Sequence, residues 1–234
     1  MTHSNLTTTN SDDSNLKSSP QIRSGVSPWL SKLIYPLGQY LVLPGYFREV
    51  EVIGTEYLPH TGAVILAPTH RSRWDSLLIP SVVGPYVTGR SSHFMVRADQ
   101  MKGIQGWFVR RLGGFAIDTN QPGIGSIRHS VDLLHQGEML TIYPEGNPFY
   151  DGTLHPLKKG LTRIAMQAVA LKPDLELKII PISLKYEHPV PKFRDRVSIQ
   201  LGQPLQVQDY QQFSSKTGAE KLHQDLTRSL EQIN

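Results

Sequence analysis

The sequence predicts an α/β protein: a single domain with a largely parallel β-sheet flanked by helices, preceded by an N-terminal apolar helical segment. Three observations predict it. Short apolar, often β-branched runs alternate with stretches of helical periodicity through most of the chain. Two of those runs, Ala63–Ala67 and Met139–Tyr143, end alike, in a proline followed by polar, chemistry-bearing residues. The chain of 234 residues is also long enough to bury one full core, and it shows no internal repeat.

The elements follow in order. Residues 1–27 are rich in Ser, Thr and Asn and read as a disordered tail, because so few apolar side chains cannot offset ordering entropy. Residues 28–49 form the apolar segment, with Leu30, Leu33, Ile34, Leu37 and Leu41 at helical spacing and Trp29, Tyr35, Tyr40 and Tyr46 among them. It reads either as a helix lying in a lipid headgroup region or as one packed on the domain's own core. The domain proper is residues 50–234. Strands are expected at Val50–Ile53, Ala63–Ala67, His93–Val96, Phe115–Ile117 (ending at Asp118), Met139–Tyr143, Leu177–Ser183 and Val197–Leu201. Helices are expected at Gly106–Leu112, Ser126–Gln136, Leu161–Leu171 and Lys216–Ile233. Pro181 suggests that its strand is an edge or carries a bulge.

Composition narrows the function. The absence of Cys excludes a thiol nucleophile, a disulfide framework and a thiolate metal site, and no metal-ligand set appears. A net charge of +4 suits anionic partners, but the basic residues are dispersed without aromatic interleaving, so no nucleic acid is expected. The longest uncharged apolar-rich run, Leu33–Phe47, is broken by Pro36, Gly38 and Pro44 and is too short for a membrane span; no signal peptide is visible.

The first polar strand end carries His70-Arg71-Ser72-Arg73-Trp74-Asp75. A turn and a helix start after Pro68 could return the Asp75 carboxylate to the His70 imidazole, with Ser72 or Asp75 capping the helix. His70 then reads either as a hydrogen-bonded strand-end histidine or as a general base held in one tautomer by Asp75. The second strand end carries Pro144-Glu145-Gly146, followed by His155 and Lys158-Lys159-Gly160. Carboxyl ends of parallel strands share one sheet edge, so the two form a plausible single site. Lys158 and Lys159 read either as an anion site with helix-start amides or as a solvated helix start.

Four blocks in order then resemble the glycerolipid acyltransferases, typified by 1-acylglycerol-3-phosphate acyltransferase, over about residues 50–201. His70 to Asp75 matches the His-x4-Asp block; Gly114-Phe115-Ala116-Ile117-Asp118 matches Gly-x-x-Phe-Ile-Asp-Arg. Tyr143-Pro144-Glu145-Gly146, with Leu157-Lys158-Lys159-Gly160, matches Phe-Pro-Glu-Gly-Thr-Arg and its Phe-Lys-x-Gly tail; Ile179-Ile180-Pro181-Ile182 matches Val-Ile-Pro-Val. The resemblance implies acyl transfer from acyl-CoA or acyl-ACP, as co-substrate and with no cofactor, to a lysolipid hydroxyl, 1-acylglycerol-3-phosphate first. It implies His70 as base and Asp75 as its orienting partner, with oxyanion donors among the helix-start amides after His70. It places Arg71, Arg73, Glu145, Gly146, Lys158 and Lys159 at the substrate, and the protein peripheral or monotopic on the cytoplasmic face of a membrane. The family's phosphate-binding arginines are replaced by Thr119 and by Asn147-Pro148. Another lysophospholipid or glycolipid acceptor is therefore the alternative, and a non-catalytic lipid-binding protein the third reading.

Overall fold

Among the described residues, eight strands form one sheet in the order β1-β7-β6-β2-β5-β3-β4, with β8 paired to β6 off that path. The structure, a computed structural model, describes residues 25–117 and 123–234. The strands are β1 (Glu49–Ile53), β2 (Ala63–Pro68), β3 (Ser92–Arg97), β4 (Gly114–Ile117), β5 (Met139–Thr141), β6 (Leu177–Tyr186), β7 (Arg196–Leu201) and β8 (Leu205–Gln206). The helices are α1 (Pro28–Pro36), α2 (Leu43–Tyr46), α3 (Asp75–Val83), α4 (Pro85–Thr88), α5 (Gly103–Arg111), α6 (Ile124–His135), α7 (Gly160–Leu171) and α8 (Ser215–Ile233). β2 is parallel to β5 and β6, and β3 to β4 and β5. β7 turns antiparallel to β6 and carries β1 with it in parallel. The carboxyl ends of β2, β5 and β6 therefore lie on one edge, where loops gather.

All six residues of β2 are buried, because both sheet faces are covered; this is why its run is apolar without alternation. Ile65, Leu140 and Ile179 face a layer made by α6, α7 and α8, where Leu222, Leu226 and Leu230 repeat every fourth residue. Val64, Leu66, Met139 and Ile180 face the opposite layer, made by Leu43, Phe47 and α3.

Pro181 sits well inside the sheet, which corrects the expectation of an edge strand. Its carbonyl accepts from the Gly202 amide at 2.8 Å, so its nitrogen faces that same side, where β6 changes partner from β8 to β7. No ladder bond is required there, and the ring is tolerated. The missing Pro181 N–H costs nothing on the β2 side either, since Ile182 accepts there from Thr69.

The apolar segment is helical as expected, but α1 and α2 are joined by a π-helical stretch, Leu37–Val42. Pro36 has no N–H to offer the Lys32 carbonyl, which instead receives the Tyr86 hydroxyl at 3.4 Å. Leu30, Ser31 and Leu43 are buried, while Trp29, Leu33, Leu37, Tyr40 and Leu41 are exposed. Among the described residues no helix is long and apolar enough to cross a membrane. The tail expected over residues 1–27 lies, up to residue 24, outside the described residues, as do Asp118 and Thr119.

Candidate active site

β2 delivers His70 to the carboxyl edge, and Thr69 fixes the exit. The Thr69 amide donates to the Ile182 carbonyl at 2.8 Å, and its hydroxyl accepts from the Leu184 amide at 3.0 Å. The His70 ring reaches Asp75, with Nδ1 2.8 Å from Oδ2. A carboxylate can only accept, so Nδ1 carries a hydrogen, and in the neutral ring the lone pair is on Nε2. The Tyr143 ring stacks on the imidazole at 4.3 Å between centroids. The His70 side chain is 22% exposed and the Asp75 side chain 0%, so one member meets solvent and the other is sealed behind it.

Asp75 is the first residue of α3, yet it does not cap that helix. Its Oδ2 turns back to accept from the Arg71 amide at 2.7 Å and the Ser72 amide at 2.9 Å, and its Oδ1 accepts from the Tyr186 hydroxyl at 2.5 Å. Trp74 holds the cap position without a side-chain bond, and the Ser72 hydroxyl accepts from the Trp74 amide at 3.3 Å. The turn after His70 is thus wound around the carboxylate. The Arg71 and Ser72 amides, expected among the oxyanion donors, are already committed to Asp75.

Glu145 arrives from the end of β5, which pairs with β2. It is 2% exposed, and its two oxygens accept from the His70 amide at 2.8 Å, the His155 amide at 2.9 Å and Arg71 Nη1 at 2.9 Å to each. Its contribution is therefore to the loop that holds His70. The expected direct role at the acceptor does not fit a carboxylate so fully occupied. Arg71 requires the same correction. Its guanidinium is 3% exposed, bound to Glu145 and, through Nη2, to Asn234 Oδ1 at 3.2 Å. A sealed cation of this kind cannot meet a lipid phosphate.

Gly146 makes the turn with φ +78°, and a Cβ there would lie 2.7 Å from Lys158 Cε. Glycine suits the dihedral, and any Cβ would also push the Lys158 side chain aside. Lys158 is exposed, and its stem runs over this turn, so its ammonium stands beside the Glu145-Gly146 corner. Lys159 is exposed at the start of α7, where its charge, after burial, helps hold the His223 imidazole of α8 below its ordinary value. Arg73 is exposed on the loop, and among the described residues no ion pair involves it.

Two further residues stand near the site, His155, which follows Glu145 in the chain, and Tyr186, which the sequence did not point to. His155 Nε2 lies 2.8 Å from Asp151 Oδ2 and its ring stacks on Phe149 at 3.7 Å; the His155 bond holds the Asp151 carboxyl down at about 2. Tyr186 stands at the end of β6, and burial together with the adjacent Asp75 charge pushes its phenol far above the ordinary value. Its link to Asp75 spans 111 positions, which no local pattern shows. Among the described residues one group of metal-ligand type, Glu187, His188 and Asp195, lies beyond β6. Its members already bond one another or Arg48.

A histidine poised on a buried carboxylate at the carboxyl edge of a mostly parallel sheet defines a class: an α/β protein able to move a proton at its strand ends. Comparison makes this particular. The family model for Acyltransferase matches residues 49–185, more than half of the chain, and the protein belongs to that family. It is 24% identical over 188 residues to the 1-acyl-sn-glycerol-3-phosphate acyltransferase of Bacillus subtilis, covering 79% of this chain and 87% of that one. It is 32% identical over 103 residues to glycerol-3-phosphate O-acyltransferase 2 of Saccharomyces cerevisiae, covering 42% of this chain but only 14% of that one. The solved structure of the LPA acyltransferase PlsC from Thermotoga maritima superposes with a TM-score of 0.61 at 21% identity, covering 87% of this chain and 79% of that one. That likeness establishes the α/β architecture. With family membership, the protein is an acyltransferase, and the non-catalytic reading is set aside.

Proposed function

We propose that the protein moves a fatty acyl group from acyl-CoA or acyl-ACP to the free hydroxyl of a lysolipid, 1-acylglycerol-3-phosphate first, with His70 as general base. The observation that supports this reading most is the His70–Asp75 contact with Nε2 turned outward from a sealed carboxylate. His70 Nε2 takes the proton of the acceptor hydroxyl as its oxygen attacks the thioester carbonyl. The tetrahedral intermediate collapses, the C–S bond breaks, and the imidazolium returns its proton to the departing thiolate. Asp75 holds the ring and stabilises its charge without itself taking a proton. Lys158 and Arg73 are the exposed cations beside this path and are assigned to the anionic groups of the substrates. The decisive measurement is thiol release from acyl-CoA by the purified protein with lysophosphatidate in vesicles; no release above the protein-free rate overturns the proposal.

The burial of Arg71 favours a second acceptor class. With that guanidinium sealed, and Asn147 in place of an arginine, two positions that could have supplied a bidentate clamp for a phosphomonoester do not supply one. A phosphodiester lysolipid or a glycolipid fits this better. An acceptor panel separates the two, and a preference above tenfold for lysophosphatidate removes the second.

The exposed stripe Trp29, Leu33, Leu37, Tyr40 and Leu41, with Ile104 and Trp107 of α5 and the basic Arg110 and Arg111, supports seating on an anionic bilayer from its cytoplasmic face. Co-sedimentation with anionic vesicles at low salt checks it, and a protein left wholly in the supernatant refutes it.

A further inference from the structure

We infer that Tyr186 is a positioning residue of the catalytic dyad, acting through Asp75 by donating its phenol hydrogen to the carboxylate oxygen that His70 does not use. This rests on the reading of His70 as the base. Asp75 is fully buried, and its only basic partner within ion-pair distance among the described residues is His70. Its charge is held by four donors: His70 Nδ1 and the Arg71 and Ser72 amides on Oδ2, and Tyr186 on Oδ1. Three of these belong to the same turn and move with Asp75. Tyr186 alone comes from another element, so it ties the dyad to the sheet.

Its placement is deliberate in the fold. β6 runs four residues past its last partner in β2, and this extension is held by the antiparallel ladder Ile182–Tyr186 against β7. The Tyr186 ring packs on Phe47, 6.0 Å between centroids, so the ring is fixed independently of its hydroxyl. The phenol cannot serve as an acid at working pH, because burial and the Asp75 charge keep its proton on. It is a permanent donor. Removing it leaves Asp75 with less of its charge shared, so Asp75 pulls harder on the imidazolium form of His70 and loses its fixed plane. The other titratable or charged groups facing the dyad are Tyr143 at the end of β5, the Arg71–Glu145 pair behind the His70 amide, and His155 with Asp151 on the following loop. None of them bonds Oδ1 of Asp75.

The test is Tyr186→Phe in the full chain, which keeps the ring. Its kcat for thiol release is expected to fall about three- to tenfold with KM within about twofold, and the acid limb of its kcat/KM profile to move up by about half to one pH unit. Site-specific 3,5-difluorotyrosine at 186, a stronger donor, moves that limb down. A structural defect alone does not reverse sign between the two. The low-field Nδ1–H proton resonance of His70, assigned by its loss in His70→Ala, moves in opposite directions in the two proteins whatever acceptor is used. An unmoved limb and resonance in Tyr186→Phe, or shifts of the same sign in both proteins, overturn the inference. If His70→Ala itself keeps normal turnover, the base reading fails instead, and the two failures are distinguishable.

Discussion

Glu145→Gln gives the sharpest test of how the site is held. The substitution keeps shape and removes one charge. Arg71, 3% exposed, then has no counter-ion among the described residues, where Glu145 is its only carboxylate partner. Breaking a buried pair from one side costs about 3–5 kcal/mol. The new amide also turns one acceptor into a donor. Each Glu145 oxygen accepts both from Arg71 Nη1 and from a backbone amide, of His70 on one and His155 on the other, so one N–H now faces another donor. The expected loss is therefore about 3–5 kcal/mol, a large part of the ~5–15 kcal/mol that holds a domain. Calorimetry should show a fall of roughly 10 °C in midpoint. The double variant Arg71→Met with Glu145→Gln should recover part of this, since no buried charge is left unpaired. A single variant within about 1 kcal/mol of the parent, or a double variant whose loss equals the sum of the two, refutes the reasoning.

Three further outcomes are expected. His70→Ala lowers the rate of thiol release by about 10²–10⁴ while the fold, read by circular dichroism, is unchanged; Asp75→Asn with parental activity would remove the orienting role. Gly146→Ala strains the φ +78° turn and displaces Lys158, lowering the free energy of unfolding by about 1–3 kcal/mol together with a rise in acceptor KM; unchanged stability contradicts the geometry. His93, His129 and His223 are each held below the ordinary imidazole value, burial being the first cause in all three. The unfolded chain then binds protons that the folded one refuses as pH falls through about 6.5, so stability drops below that point. Urea midpoints at pH 7.5 and 5.5 report it; a higher midpoint at 5.5 runs against the sign.

Much of the fold is legible because its signals are local. The β-branched runs around Ile65, Ile179 and Ile199 and the fourfold repeat of Leu222, Leu226 and Leu230 appear in the structure as the strands and helix they suggest. The His70–Asp75 offset also works locally, since one turn and a helix start close it. What was illegible depends on distance along the chain. The burial of Arg71 is set by Glu145, 74 positions away, and an arginine beside a catalytic-looking histidine reads equally well as a ligand-binding cation. Asp75 fits both a helix cap and a loop centre, and only the three-dimensional turn decides between them. The short β8 and α4 lack periodicity to detect. Pro181 misled because a proline's tolerance depends on which side of the strand lacks a partner, a property of sheet order.

The phenol ring of Tyr143 stacked on one face of His70, with Nδ1 anchored on Asp75, holds the imidazole in one orientation. A hydrogen acceptor that cannot swing sets a fixed line of approach. If His70 is the base proposed above, the alcohol arrives along the outward axis of that ring, lying in its plane. On that proposal, discrimination among lipid acceptors becomes a matter of which headgroups can present their hydroxyl from that bearing.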